Sequence, residues 1–205
     1  MHQYNSSVWF TSAILGSVLA YVWVIEPVVP RNAVFFPAAL LVVLTAWHDV
    51  RHREWGFSWP ALAPGLWRAL MVTLVAVLLI LGAGAAAGTL HDRRDFLGSL
   101  APLVLWGGAQ QWVLQTVVLR EAQRAASRTA GIVIASGLFG IVHLPNPLLA
   151  PVTSVAALVW CRLYDRYPNI VPLALSHGLG TLALRYAFDE TITGRLRIGM
   201  AYLRQ

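Results

Sequence analysis

Long uncharged apolar runs alternate along the chain with short charged or proline-containing breaks. The apolar runs lie at about residues 7–25, 33–47, 69–90, 96–119, 130–144, 148–160 and 169–184. A helix that crosses a bilayer needs about 20 residues, so several of these runs must tilt, extend past the flanking charges or stop part-way. The pattern predicts an all-α fold, a polytopic membrane helix bundle of about seven transmembrane segments, in a single domain over residues 1–205.

The breaks between the runs are expected to be loops. They contain charged residues or prolines and lie at residues 26–31, 48–54 (HDVRHRE), 91–95 (HDRRD), 120–128 (REAQRAASR) and 162–168 (RLYDRYP). Pro145, Asn146 and Pro147 predict a tight turn. Residues 55–68 combine three Trp with two Pro, which is typical of an interfacial segment rather than a spanning helix. The stretch LGAGAAAG at 81–88 predicts a helix surface that a neighbour can approach closely.

Composition supports an integral membrane protein, because the 205 residues are 58% hydrophobic and only 12% charged, with a mean hydropathy of +0.63. The net charge of +6 comes from fifteen Arg and no Lys. Most lie between apolar runs, which favours contact with membrane lipids over nucleic-acid binding. The positive-inside rule then places the N-terminus and the loops at 48–68, 120–128 and 162–168 in the cytoplasm, and a bacterial inner membrane is expected. The three Arg of the tail do not fit that orientation.

Polar side chains at membrane depth are costly unless they have partners, so each one is a candidate functional residue. Three runs carry such groups, and these are Gln110, Gln111 and Gln115, then His143 with Phe139 one turn before it, then His177 with Thr181 one turn after it. A spacing of four places Gln111 and Gln115 on one helix face, with Gln110 about 100° away. Hydrogen bonds that merely hold the bundle together are the alternative interpretation.

Other candidate groups are assigned no role from the sequence. The remaining histidines, His2, His48, His52 and His91, lie in tails or charged loops where solvation is expected. Glu121 comes ten residues after Gln111, about 15 Å along a helix, in a predicted Arg-rich loop. The single Cys161 cannot form an intrachain disulfide and is expected to be a buried thiol. A histidine metal site lacks an interior third ligand, so no metal and no cofactor are expected.

The order and spacing of the interior polar groups resemble those of the CPBP family, also called the Abi family. Its members are the CAAX-protease and bacteriocin-processing intramembrane endopeptidases, and the resemblance covers about residues 96–187. The family carries Glu-Glu-x-x-x-Arg, Phe-x-x-x-His and His-x-x-x-Asn or Asp on separate helices. Phe139, His143 and His177 match these motifs, whereas the first motif is replaced by three Gln and the last Asn by Thr181.

The resemblance implies an endopeptidase that activates a water molecule to cleave a membrane-anchored protein or peptide substrate. His143 and His177 are then the catalytic residues, with the three Gln, Phe139 and Thr181 in binding or positioning roles. An amide cannot act as a general base, so the glutamate chemistry of the family is lost here. A non-catalytic relative that binds a membrane segment or peptide, as a chaperone, immunity-type factor or complex subunit, is therefore the alternative. A transporter is disfavoured because no interior carboxylate lines a path.

Overall fold

The structure is a computed structural model that describes residues 2–29, 35–91 and 96–204. All regular secondary structure within these ranges is helical, which agrees with the predicted all-α class. The α-helices are α1 (His2–Ala20), α2 (Phe35–His52), α3 (Trp59–Ala86), α4 (Phe96–Trp112), α5 (Arg120–Ala125), α6 (Arg128–Val142), α7 (Leu149–Arg166), α8 (Ile170–Ala187), α9 (Glu190–Thr193) and α10 (Gly199–Leu203). The predicted breaks at 26–31 and 91–95 lie partly outside the described residues.

The chain forms two compact units. The first consists of Met1–Trp55, Val113–Cys161 and Leu196–Gln205, and the second of Gly56–Trp112 and Arg162–Arg195. A π-helical segment, Val113–Leu119, continues the chain from α4 to α5, and a second one, Tyr21–Ile25, follows α1. Short 3₁₀ segments occur at Glu26–Val28 and Gly194–Leu196.

In the second unit, α8 packs against both α3 and α4. Small residues allow this packing, since a Cβ atom placed on Gly84 of α3 would lie 2.3 Å from the carbonyl oxygen of Ala187. The predicted close-approach surface at 81–88 is therefore confirmed. Asn169 caps α8, because its Oδ1 accepts a hydrogen bond from the Val171 amide, and its Nδ2 donates to the Ser58 carbonyl.

The 28-residue helix α3 is the one described helix that is long and apolar enough to cross a membrane. Two shorter apolar helical stretches occur at Trp9–Ile25 and Arg128–Val142. The prediction of a separate interfacial segment over 55–68 is wrong from Trp59 onward, where the chain already belongs to α3. Pro60 sits in the first turn, where its missing N–H has no helical partner to lose, so it starts the helix rather than breaking it.

Three predicted loops are largely helical. The helix α2 continues through the charged stretch to His52, α5 occupies Arg120–Ala125, and α7 extends to Arg166. The prediction ended each segment at the first charge. Side chains such as His48 and Glu121 are instead buried against protein partners, so the charges do not end the helices.

The predicted turn after α6 is confirmed and is organised by Asn146, which is fully buried. Its Oδ1 accepts hydrogen bonds from the amides of Leu148 and Leu149 at 3.1 and 2.9 Å, and its Nδ2 donates to the Arg197 carbonyl at 3.0 Å. The Leu144–Pro145 peptide bond is cis. One side chain thus starts α7 and joins the turn to the C-terminal segment of the first unit.

Candidate functional site

A buried amide and imidazole meet in the second unit. Gln111 at the end of α4 places its Nε2 3.3 Å from Nδ1 of His177, in the middle of α8. Both side chains are buried. If the amide nitrogen donates, Nδ1 must accept, and the proton of the neutral ring then sits on Nε2. In that arrangement, Nε2 of His177 is a hydrogen-bond donor.

Small residues on α4 allow this contact. A Cβ on Gly107 would lie 2.9 Å from Cγ of His177, so only glycine lets the imidazole pack against the α4 backbone. On the other side of α8, Ser176 Oγ lies 2.7 Å from Thr73 Oγ, and the Thr73 hydroxyl also reaches the Ala69 carbonyl at 2.6 Å. Ser176 thereby ties α8 to α3.

Gln110 and Thr181, the other two predicted residues of this unit, are not part of the contact between Gln111 and His177. Gln110 is half-buried, and its Oε1 is buried with no hydrogen-bond partner among the described residues. Thr181 is half-buried one turn after His177. Across the described part of the chain, no hydrogen bond joins Thr181 to His177 or Gln111. The structure thus brings Gln111 to His177 and leaves Thr181 out of that contact.

The first unit contains the second predicted histidine. His143 follows α6, and its Nδ1 lies 2.6 Å from the carbonyl oxygen of Phe139. A carbonyl can only accept, so Nδ1 carries a proton and Nε2 of the neutral ring is left as an acceptor. The ring of Phe139 packs on His143 at a centroid distance of 4.8 Å and on Trp160 at 6.4 Å. Phe139 therefore fixes both the position and the tautomer of His143.

Gln115 also lies in the first unit and is fully buried. It falls within the π-helical segment Val113–Leu119. That segment begins between Gln111 and Gln115, so regular α-helical turns do not connect the two amides. Single π-helical turns inside α-helices are frequent at functional sites.

A second polar cluster in the first unit was missed by the sequence analysis. His48 was expected to be solvated, but it is 2% exposed, and Glu121 is 3% exposed. Nε2 of His48 lies 2.9 Å from Oε1 of Glu121, and Nδ1 lies 3.3 Å from Oδ1 of the buried Asp49. Burial lowers the pKa of His48, but the two carboxylate hydrogen bonds outweigh it, so the net pKa is raised.

His52 completes this cluster from the next turn of α2. Its ring centroid lies 4.5 Å from that of His48, and it is the more exposed of the two histidines. The guanidinium of Arg124 donates to Oε1 of Glu121. The spacing of His48 and His52 was visible in the sequence as His-x-x-x-His, which places both rings on one helix face.

Comparison with protein families finds one match. Residues 92–183 match the family model described as type II CAAX prenyl endopeptidase Rce1-like. The matched segment includes all seven residues singled out by the motif analysis. Neither the characterised proteins nor the solved structures contain a significant match to the chain.

The match confirms the resemblance to the CPBP family over residues 92–183. The matched family is one of membrane-integral peptidases of the CAAX-protease type.

Proposed function

We propose that the protein is an intramembrane endopeptidase of the CPBP family that cleaves membrane-associated proteins or peptides. The proposed catalytic residues are two histidines, His143 in the first unit and His177 in the second. Each role is proposed from the residue's own surroundings, a general base for His143 and a hydrogen-bond donor for His177. The observation that carries the proposal is the partner of Nδ1 in each ring, which is the Phe139 carbonyl for His143 and the Gln111 amide for His177.

His143 is suited to the role of base. Its Nδ1–H is engaged by the Phe139 carbonyl, so Nε2 has a free lone pair. In the proposed step, Nε2 accepts a proton from water while the water oxygen bonds to the scissile carbonyl carbon. The same proton then passes to the leaving amine nitrogen as the C–N bond breaks. This sequence needs no carboxylate, which agrees with the absence of Glu at positions 110 and 111.

His177 is suited to donate a hydrogen bond to a substrate oxygen. With the Gln111 amide donating to Nδ1, the proton of the neutral ring sits on Nε2, and a preorganised donor can contribute about 10²–10³ in rate. Gln110, Gln115 and Thr181 are proposed to bind or position the substrate. Phe139 is a positioning residue, because it acts through His143.

Cleavage of defined peptides by the purified full-length protein tests the proposal. The probes are a prenylated CAAX peptide and its unprenylated form, in lipid vesicles, with mass spectrometry as the readout. His143→Ala is expected to reduce kcat by about 10²–10⁴, and His177→Ala by about 10²–10³. His91→Ala is the matched control, since His91 pairs with Asp189 at 2.6 Å outside these contacts, and it should cleave normally.

The alternative is a relative that binds a membrane segment without cleaving it, and the loss of the glutamates favours it. If the wild-type protein binds the peptides but leaves them intact, the alternative is supported and the catalytic proposal is wrong. If cleavage survives in both the His143→Ala and His177→Ala variants, the peptidase assignment stands but the residue assignments fail.

A further inference from the structure

We propose that His48, His52 and Glu121 form a binding site for one divalent transition-metal ion of the zinc class. Each residue offers one ligand atom, and these atoms all lie within 4.8 Å of one another in the first unit. Two imidazoles and one carboxylate are a ligand set that zinc sites use, with a fourth position left for water. None of the three residues belongs to the family motifs, and the site does not depend on the proposed peptidase chemistry.

The two histidines come from one helix. They are four residues apart on α2, in the sequence His48-Asp49-Val50-Arg51-His52. This spacing projects two imidazoles from one helix face, as in helical zinc motifs where two histidines flank an acidic residue. The ring centroids lie 4.5 Å apart, so both rings already converge. The third ligand, Glu121, arrives from α5.

The acidic residue between the histidines serves His48 directly. Oδ1 of Asp49 lies 3.3 Å from Nδ1 of His48, and it accepts the proton on that nitrogen. Carboxylates that hold the second nitrogen of a ligating histidine fix its tautomer and raise its basicity. Nε2 of His48 lies 2.9 Å from Oε1 of Glu121, and because a carboxylate only accepts, Nε2 carries a proton in this contact. A metal ion would take the place of that proton.

The charges around the cluster permit a cation. Arg124 contacts Oε1 of Glu121, but its Nη2 also lies 4.0 Å from Oε1 of Glu54, whose other oxygen is 3.4 Å from Nε of Arg120. Glu54 thus provides Arg124 with an alternative carboxylate when a metal ion binds Glu121. The relative exposure of His52 gives an ion a route of entry.

A buried hydroxyl on the same helix face adds support. Thr45 lies one turn before Asp49 and is fully buried, and its Oγ has no hydrogen-bond partner in the described part of the chain. An unsatisfied buried hydroxyl is costly. A metal-bound water at the Thr45 end of the cluster would supply a polar partner close to the face of α2 that carries this hydroxyl.

Metal binding by the full-length protein tests this proposal. The protein is purified without a polyhistidine tag, stripped with a chelator and titrated with Co²⁺, whose visible absorption reports coordination by nitrogen and oxygen. Zn²⁺ content after dialysis is measured in parallel by mass spectrometry of the metal. We expect one ion per chain, with binding weakened at least about tenfold in His52→Ala and in Glu121→Gln, and by about 10–100-fold in Asp49→Asn.

His91→Ala is the matched control, because this histidine lies outside the cluster, and its binding should equal that of the wild type. Glu121→Gln keeps the size of the side chain, and His52 is the more exposed histidine, so both variants are expected to fold. Loss of metal binding in both variants, with unchanged circular dichroism, supports a metal site. Absence of stoichiometric binding to the wild type would overturn the proposal. So would unchanged binding in both ligand variants, or an equal loss in the control.

Discussion

Gln111 favours one hydrogen-bonding direction for the imidazole of His177. An amide can present either an N–H or an oxygen to the imidazole, but its nitrogen is the atom placed 3.3 Å from Nδ1. A carboxylate at the same position could only accept, and Nδ1 would then carry the proton. Gln111 therefore favours a donating Nε2 on His177, whereas Glu at this position would favour an accepting one.

Restoring the family residue should reverse this tautomer. In Gln111→Glu, we expect the proton of His177 to move from Nε2 to Nδ1, because the carboxylate accepts from the nearer nitrogen. Nitrogen chemical shifts of protein labelled with ¹⁵N-histidine measure the change. Gln123→Glu is the matched control, since Gln123 hydrogen-bonds Arg120 and the Arg128 carbonyl. An unchanged His177 tautomer in Gln111→Glu would contradict the assignment.

Individual site residues were predictable where the sequence placed an isolated polar group in an apolar run. Gln111 and His177 stand out in this way, and the structure joins them. His48 and Glu121 were not found because they lie beside Arg and Asp, in stretches whose composition is typical of loops. Their burial depends on which helix face meets the protein interior, and this contact is made between residues 73 positions apart.

The contact between α4 and α8 depends on which glycine faces the neighbouring helix. A Cβ on Gly178 would lie 2.6 Å from Cγ2 of Val104 and 3.0 Å from the Val104 amide nitrogen. A Cβ on Gly180 would have no such neighbouring heavy atom within 4 Å. Backbone atoms cannot move aside as a flexible side chain can. The two glycines of one helix thus differ in whether they tolerate a methyl group.

Paired substitutions on α8 test this difference. Gly178→Ala should destabilise the protein by about 1–3 kcal/mol through overpacking. Gly180→Ala should be neutral or stabilising by up to ~1 kcal/mol, because alanine is the better helix former. Thermal unfolding in one detergent compares the two variants with the wild type. Equal melting temperatures for Gly178→Ala and Gly180→Ala would show that α4 and α8 do not meet as described.

The stability of the turn before α7 should depend on both the Oδ1 and the Nδ2 atoms of Asn146. Asn146→Ala removes two accepted hydrogen bonds and one donated bond, and we expect a loss of about 2–4 kcal/mol in unfolding free energy. Asn146→Asp retains the acceptors for the Leu148 and Leu149 amides but loses the donor to Arg197. Its effect should be smaller in chemical denaturation. A larger effect for Asp than for Ala would contradict this division.

The sequence predicted the presence of helices more accurately than their lengths. The apolar runs correspond to helices. However, α2, α3 and α7 include charged or proline-containing residues that were predicted as loops or interfacial segments, and α5 lies within a predicted loop. Charge ends a helix only if the side chain needs water. Here, partners such as Glu121 for His48, together with a proline in the first turn of α3, allow the helices to continue.

At the scale of the whole molecule, the matched family is membrane-integral and the surface of α3 is apolar. Its side chains include exposed apolar groups along much of its length, among them Leu74, Val75, Leu78 and Leu79. Such a surface is unfavourable in water and suited to lipid. The sequence predicted about seven spans, whereas α3 alone meets the length and hydropathy of a span in the described residues. Whether a shorter helix crosses the membrane depends on its full length and its tilt, and composition specifies neither.

The ends of α3 provide a direct test of membrane crossing and of its direction. Phe57 precedes α3 and is 56% exposed, and the exposed Ala87 follows it. The positive-inside rule assigns the Arg-rich stretch before α3 to the cytoplasm. A membrane-impermeant maleimide should therefore label Ala87→Cys in intact cells and Phe57→Cys only after permeabilisation. The native Cys161 is fully buried, so the wild-type protein gives the background. Labelling of both positions in intact cells would mean that α3 does not cross the membrane, and the reverse pattern would invert its orientation.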